Sequence, residues 1–313
     1  MSKMVKIIGI DNGFKFTKTS ELDTIFGSTI INKVDNINDV IQCSINGVNY
    51  VVGEENGHYI ADADKLKTEE NKENLKVCTL TALGLSYPRE AFITAKIVVG
   101  VPVSYYDKQR VEFKDMMMKL NDNIFINKVG FEQTIKINDV LVYPQSAGWV
   151  FVNPERSKNS VSLIIDIGGG TWDVSLFHGL KLIKHKTYRN GMKILDSILA
   201  QYLNTNYYTN YSEYQIHGLR EKGMFTVDGQ KVNIDVLDEP TNEFIIDIMG
   251  DLKTQFNPES ADNVILIGGG AEVLENNIRE YIPHIEVEPN AQFKNAMWYK
   301  KMGEMAWSKT KEE

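Results

Sequence analysis

One short pattern occurs twice in this chain, about half its length apart, and it narrows the possible folds more than any other feature. Ile8-Gly-Ile-Asp11-Asn-Gly13-Phe-Lys-Phe-Thr-Lys18 and Ile164-Ile-Asp166-Ile-Gly168-Gly-Gly-Thr171-Trp-Asp-Val174 each read as an apolar strand, an Asp at its end, a glycine-containing turn and a second strand. Glycine lets such a turn adopt positive φ and brings backbone N–H groups close to an anion. A carboxylate at each strand end, facing one gap, suits a hydrated Mg2+ held against phosphate charge. One such turn is only a tight hairpin. Two of them predict a duplicated architecture with a phosphate site between the halves.

A third glycine turn follows a buried strand late in the chain: Val264-Ile-Leu-Ile-Gly268-Gly269-Gly270-Ala271, with a helix expected over 272–281. Strand, glycine turn and helix N-terminus make a seat where a nucleotide lies against bare backbone. No Gly-x-x-x-x-Gly-Lys-Ser/Thr loop and no Gly-x-Gly-x-x-Gly after a strand occurs, so the two commonest nucleotide fingerprints are excluded.

Elsewhere the patterning predicts strands over 5–18 and 24–31 with a turn around Glu21 and Asp23, then a small β-rich insertion. Residues 62–76 are dense in charge and read as an exposed loop or solvated helix face. A helix is expected over 79–87, ending before Pro88, and a buried strand over 95–105. An amphipathic helix over 107–120, with Asp107 placed to cap it, is followed by strands over 128–136 and 138–143. The second half offers strands over 162–166, 172–177 and 262–267 and a helix after Gly191. A mostly helical region with a hairpin at Asp228-Gly229 follows, and a closing helix over 292–307. Strands alternating with helices in both halves imply an α/β fold of two sheet-containing lobes.

Composition excludes other classes. With 313 residues, 42% of them hydrophobic and 24% charged, the chain is long enough for two lobes and ordinary for a globular protein. No apolar run reaches the ~20 residues of a membrane span, and the N-terminus shows no signal-peptide pattern. Two cysteines, Cys43 and Cys78, and five scattered histidines (His58, His178, His185, His217, His284) form no metal-ligand spacing. A reducing cytoplasm is the expected compartment, with the histidines at the surface or internally satisfied. The net charge of −8 argues against a broad nucleic-acid surface. The weight of Ile, Lys and Asn points to an AT-rich, bacterial coding sequence.

The three glycine turns, in this order and spacing, resemble the actin-like ATPase superfamily, which also holds sugar kinases and chaperone ATPase domains. Strand 95–104 with its Gly-Val-Pro-Val, followed by Tyr106 and Arg110, resembles especially the plasmid-partitioning actins of the ParM type and their archaeal cousins. The resemblance implies an actin-like fold of two ribonuclease-H-like lobes with nucleotide in the cleft between them. Lobe I would comprise 1–160 plus 290–313, with its insertion at about 33–75. Lobe II would comprise 161–289, with a helical insertion at about 197–258.

By that resemblance Asp11 and Asp166 face Mg2+ through water. Asn12, Gly13, Phe14 and Lys18 wrap the β- and γ-phosphates, and Gly168, Gly169, Gly170 and Thr171 cradle the γ-phosphate. Gln145, in Pro144-Gln-Ser-Ala-Gly148, corresponds to a connector-helix residue that orients the attacking water. Gly191 opens a helix bordering the ribose, and Gly268, Gly269, Gly270 and Ala271 pack on adenosine. Asn295 and Ala296 fall where the second inter-lobe connector belongs, with Lys294 and Trp298 as departures. Lys15 is another departure, expected on the solvated face of its strand, with direct reach to a phosphate as the alternative.

The implied function is an ATPase, with GTP left open, that assembles with itself into filaments and moves plasmid DNA. The DNA would be reached through a small DNA-binding adaptor on a centromere-like site, with no membrane involved. A small-molecule kinase of the same superfamily and a cell-shape or cell-division actin homologue are the alternatives.

Overall fold

Two sheets of matching topology carry the chain. The structure, a computed structural model, describes residues 5–21, 24–32, 39–54, 57–60 and 64–309. The first half runs β1 (Lys6–Asn12), β2 (Phe16–Thr19), β3 (Ile25–Gly27), β4 (Thr29–Ile31), β5 (Ile41–Ile45), β6 (Val48–Val52) and β7 (His58–Tyr59). It continues through α1 (Glu69–Ser86), β8 (Phe92–Val101), α2 (Tyr106–Met118), β9 (Asn121–Ile126) and β10 (Glu132–Pro144). Short helices α3 (Gly148–Val152) and α4 (Pro154–Ser157) lead to β11 (Val161–Ile167), β12 (Trp172–His178) and β13 (Lys181–Tyr188). Then come α5 (Met192–Tyr207), α6 (Glu213–Lys222), the hairpin of β14 (Met224–Val227) and β15 (Gln230–Asn233), and α7 (Asp238–Phe256). The chain closes with β16 (Asn263–Ile267), α8 (Ala271–Arg279), β17 (Glu286–Val287) and α9 (Lys294–Lys309).

The first sheet has the order β3-β2-β1-β8-β10 and the second β13-β12-β11-β16-β17. In each, the central strand pairs antiparallel with the hairpin partner that follows it and parallel with the strand on its other side. The outer pairs repeat the same senses. The sequence repeat is therefore a repeat of topology. Asp11 and Asp166 occupy equivalent places at the carboxyl ends of β1 and β11, the end of such sheets where ligands bind. Beyond β10 the first sheet extends through β9-β5-β6-β4-β7.

Strands β8 and β11 carry apolar runs without alternation: Ile97, Val98 and Val99 of β8 and Leu163, Ile164 and Ile165 of β11 are fully buried. This is the signature of strands covered on both faces. Helix α9 covers the first sheet closely because two strand residues lack side chains. A Cβ on Gly9 would lie 2.0 Å from the Ala296 carbonyl oxygen, and one on Gly100 would lie 1.8 Å from the Tyr299 hydroxyl. Trp298, on the same helix, joins Trp149 and Val150 of α3 with Ile164 and Ile265 of the second sheet in one apolar cluster. The tryptophan that departs from the connector pattern thus ties α9 to α3 and the second sheet. Among the described residues no helix is long and apolar enough to cross a membrane.

Several expectations from patterning need correction. Residues 5–18 and 24–31 form four strands, because the turn at Gly13 and a break at Ser28 interrupt them. Thr24 N–H donates to the Glu21 carbonyl at 3.0 Å, while Asp23 lies outside the described residues. The charged stretch 62–76 is solvated only in part: Lys67, Thr68, Glu69 and Glu70 are exposed, whereas Leu66, Asn71, Asn74 and Leu75 are buried. Of it, 62–63 are outside the described residues, Lys65 is wholly buried, and α1 begins at Glu69, ten residues earlier than expected, with Thr68 as its cap. Asp107 caps nothing: a 3-10 turn over Val103–Tyr105 runs directly into α2. The strands expected at 128–136 and 138–143 are one strand, β10, with a register irregularity between Ile137 and Asp139. Strands β9, β13 and β17 were not anticipated.

Candidate functional site

A cleft of about 990 Å³, counting its open mouth, lies where the carboxyl ends of β1 and β11 face each other. Gly13 N–H closes the first turn on the Phe16 carbonyl at 3.1 Å, and Gly168 N–H closes the second on Thr171 at 2.8 Å. The turns interlock. A Cβ on Gly169 would fall 2.4 Å from Lys15 Cβ, and one on Gly170 would fall 2.8 Å from the Phe14 ring. The glycines of the second turn are thus needed to let the first turn in.

Buried acids and bases concentrate at this end. Lys18 Nζ stands 3.2 Å from Asp11 Oδ2 and donates to the Gln292 carbonyl at 3.0 Å. Gln145 Nε2 donates to Asp11 Oδ1 at 3.3 Å, from a two-residue turn before α3 and not from the helix itself. Asn295 Nδ2 donates to Asp166 Oδ2 at 2.6 Å. Burial, followed by the charge of Asp11, pushes Asp166 up to about 7, against the opposing Asn295 bond. Asp173 accepts from Thr171 at 3.0 Å and from Thr187 at 2.6 Å, and burial raises its pKa as well. Lys65 Nζ donates to the Asn12 carbonyl at 2.6 Å. Burial draws its ammonium group down to about 8, while Asp11 and Asp173 pull the other way.

Carboxyl groups held in this state are ones a divalent cation would relieve. Among the described residues no group of three or more His, Cys, Asp or Glu could hold a metal directly. Buried carboxylate oxygens such as those of Asp11 and Asp166 are donors of the kind that suits a hard cation such as Mg2+ held through water.

The third turn contributes only part of itself. Gly268, at φ +92°, and Gly269 line the cleft, and Gly268 N–H donates to the Ala291 carbonyl at 3.0 Å. Gly270 and Ala271 do not reach the cleft. A Cβ on Gly270 would be 2.3 Å from the Ile167 side chain, and Ala271 is buried at the start of α8. Gly191 is also a packing residue, because its Cα lies against the backbone of Gly169 and Gly170. The N–H groups of Gly191, Met192 and Lys193 donate to the carbonyls of Gly170, Gly168 and Gly169 at 3.2, 3.0 and 2.9 Å, so the first turn of α5 is spent on bracing the second glycine turn. Asn12 points away from the cleft to Thr79 of α1, its Nδ2 at 3.3 Å from the hydroxyl. Asp11, Gly13, Phe14, Lys18, Gln145, Asp166, Gly168, Gly169 and Thr171 all line the cleft.

Sequence reasoning missed the other wall. Lys15 is not solvated. Its Nζ lies 2.7 Å from Asp196 Oδ2 on α5, and Arg220 Nη1 of α6 lies 2.7 Å from Asp196 Oδ1. This triad joins the first turn to the second half of the chain across the cleft. A signal for it existed: Asp196 interrupts the buried stripe Met192, Leu195, Leu199 and Leu203 of α5. His217, Glu272 and Gln292 also line the cleft, so one of the five histidines sits at the site.

Comparison with known proteins bears on both halves. Residues 9–148 match the family described as actin like proteins N terminal domain. Residues 164–280 match the archaeal actin homologue MreB-like, C-terminal family. No curated protein matches the chain. Among solved structures, a 15-stranded ParM filament from Clostridium botulinum superposes with a TM-score of 0.78 at 23% identity, covering 96% of this chain and 100% of that one. The archaeal actin homologue Ta0583 gives 0.80 at 18% identity, covering 97% and 100%. Its complex with ADP gives 0.77 at 16% identity, covering 96% and 100%. With both halves matched and the same fold throughout, the chain belongs to the actin-like superfamily that includes the ParM proteins.

Proposed function

We propose that this protein is a filament-forming ATPase that moves plasmid DNA through an adaptor. The observation that carries the reading is the meeting of two Asp-ended turns, from two sheets of the same topology, around one cleft that also holds Gln145. In this reading Lys18 and the N–H groups of the first turn bind the β- and γ-phosphates, with the turn at 168–171 opposite them. Mg2+, when bound, neutralises phosphate charge. The Gln145 amide, steadied by Asp11, orients the attacking water. Because phosphoryl transfer needs positioning more than a strong base, a neutral amide suffices for that task. The base end lies against Gly268 and Gly269.

The two lobes, 1–160 with 290–313 and 161–289, close on the nucleotide, and assembly of successive copies depends on that closure. The likeness to a ParM filament supports self-assembly, and the ADP complex of the archaeal homologue supports nucleotide binding. A net charge of −8 favours an adaptor over direct DNA contact in a cytoplasmic setting. The test is light scattering with sedimentation of the same samples after adding Mg-ATP, Mg-ADP or Mg-GTP. Triphosphate-triggered assembly that decays as phosphate appears is the expected result. Nucleotide binding without assembly under any condition would overturn the filament reading in favour of a kinase.

A further inference from the structure

Lys65 is a buried cation that the glycine turns do not explain. It lies between β7 and α1 with none of its surface exposed. An ammonium group taken out of water is costly unless its surroundings compensate it. Its Nζ is 2.6 Å from the Asn12 carbonyl oxygen and 5.3 Å from the centroid of the Phe14 ring, so both contacts fall on the first phosphate turn. The segment that delivers it is braced at each end. Asp64 accepts from Leu66 N–H at 3.3 Å, from Lys108 at 2.9 Å and from the Gln109 side chain, which ties it to α2. Thr68 accepts from Asn71 N–H at 3.1 Å and caps α1.

We propose that Lys65 is the positioning residue of the first turn: it fixes the Asn12 carbonyl and the Phe14 ring, and supplies from behind the turn a charge that favours a triphosphate over a diphosphate. The inference rests on reading the cleft as a nucleotide site. Asp11, Asp166 and Asp173 lie within electrostatic reach of Lys65, as does Lys18. Three carboxyl groups against two ammonium groups leave little to welcome further negative charge, and without Lys65 only Lys18 of that pair remains. Charge acts at a distance and scales with the charge it meets. Its loss therefore weakens ATP more than ADP, whereas loss of packing alone weakens both equally.

The test uses the full chain and the fluorescent N-methylanthraniloyl derivatives of ATP and ADP, titrated in EDTA and in Mg2+. Lys65→Met keeps the length of the side chain and removes the charge. The expected result in EDTA is an ATP affinity lower by about tenfold, the scale of one buried charge at moderate range. The ADP loss should be clearly smaller, so that the ATP-to-ADP preference falls, and Mg2+ should recover part of the ATP loss. Equal losses for the two nucleotides, or no loss, would overturn the proposal. Should the methionine variant fail to fold, Lys65→Arg decides: with the charge kept, the preference should stay at the wild-type value, and its collapse would overturn the proposal. Wild-type protein that binds neither nucleotide would instead sink the functional reading itself.

Discussion

Removing the carboxylate of Asp196 isolates the tie between the halves. Its side chain is 2% exposed and sits between Lys15 and Arg220, each at 2.7 Å, which are themselves 18% and 17% exposed. Asp196→Asn would leave two cations facing a neutral amide. Breaking a buried ion pair by removing one partner costs ~3–5 kcal/mol, and the residual exposure of the cations places this case near the lower end, about 3 kcal/mol. For a chain of this size, with ~2 °C per kcal/mol, the midpoint of thermal unfolding should drop by about 6 °C. Lys15→Met should cost less, about 1 kcal/mol, because Arg220 still compensates Asp196. The assay is scanning calorimetry without nucleotide. A drop below ~2 °C for Asp196→Asn, or a larger drop for Lys15→Met, would refute the ion triad as a stabilising element.

Two further outcomes follow from the geometry. Gln145→Ala should cut phosphate release by about a hundredfold, the scale set by a misplaced reactant, while polymer still pellets in Mg-ATP and persists; unchanged turnover would remove Gln145 from the mechanism. Gly9→Ala should destabilise by about 3 kcal/mol or more, since its methyl group would displace α9 from the Ala296 carbonyl 2.0 Å away, and an unchanged melting curve would contradict that seat.

What the chain disclosed in advance was local and periodic. The two Asp-Gly turns and the Gly268 turn are contiguous signals, and the apolar runs at 95–104 and 262–267 mark strands buried on both faces. The hairpin at Asp228-Gly229 is legible because a two-residue hairpin turn needs positive φ at both central positions and Asp-Gly accepts it, which the structure shows at 47° and 79°. The residues that escaped notice act at long range. Lys65 stands in a run dense with charge, where nothing marks one lysine as buried. Asp196 and Arg220 meet Lys15 only through packing of α5 and α6 on the second sheet. Asp107 looked like a cap, but the 3-10 turn before α2 already supplies the helix entry. The 13-residue β10 reads as two strands because Asn138-Asp139 at its irregularity imitates a turn.

The most direct test of the central claim is an electron cryo-microscopy reconstruction of protein incubated with Mg-ATP. The expected result is a polymer whose every subunit holds nucleotide, with phosphates between the Gly13 and Gly168 turns and the base beside Gly268. A polymer with that cleft empty, or with nucleotide elsewhere on the subunit, would contradict it.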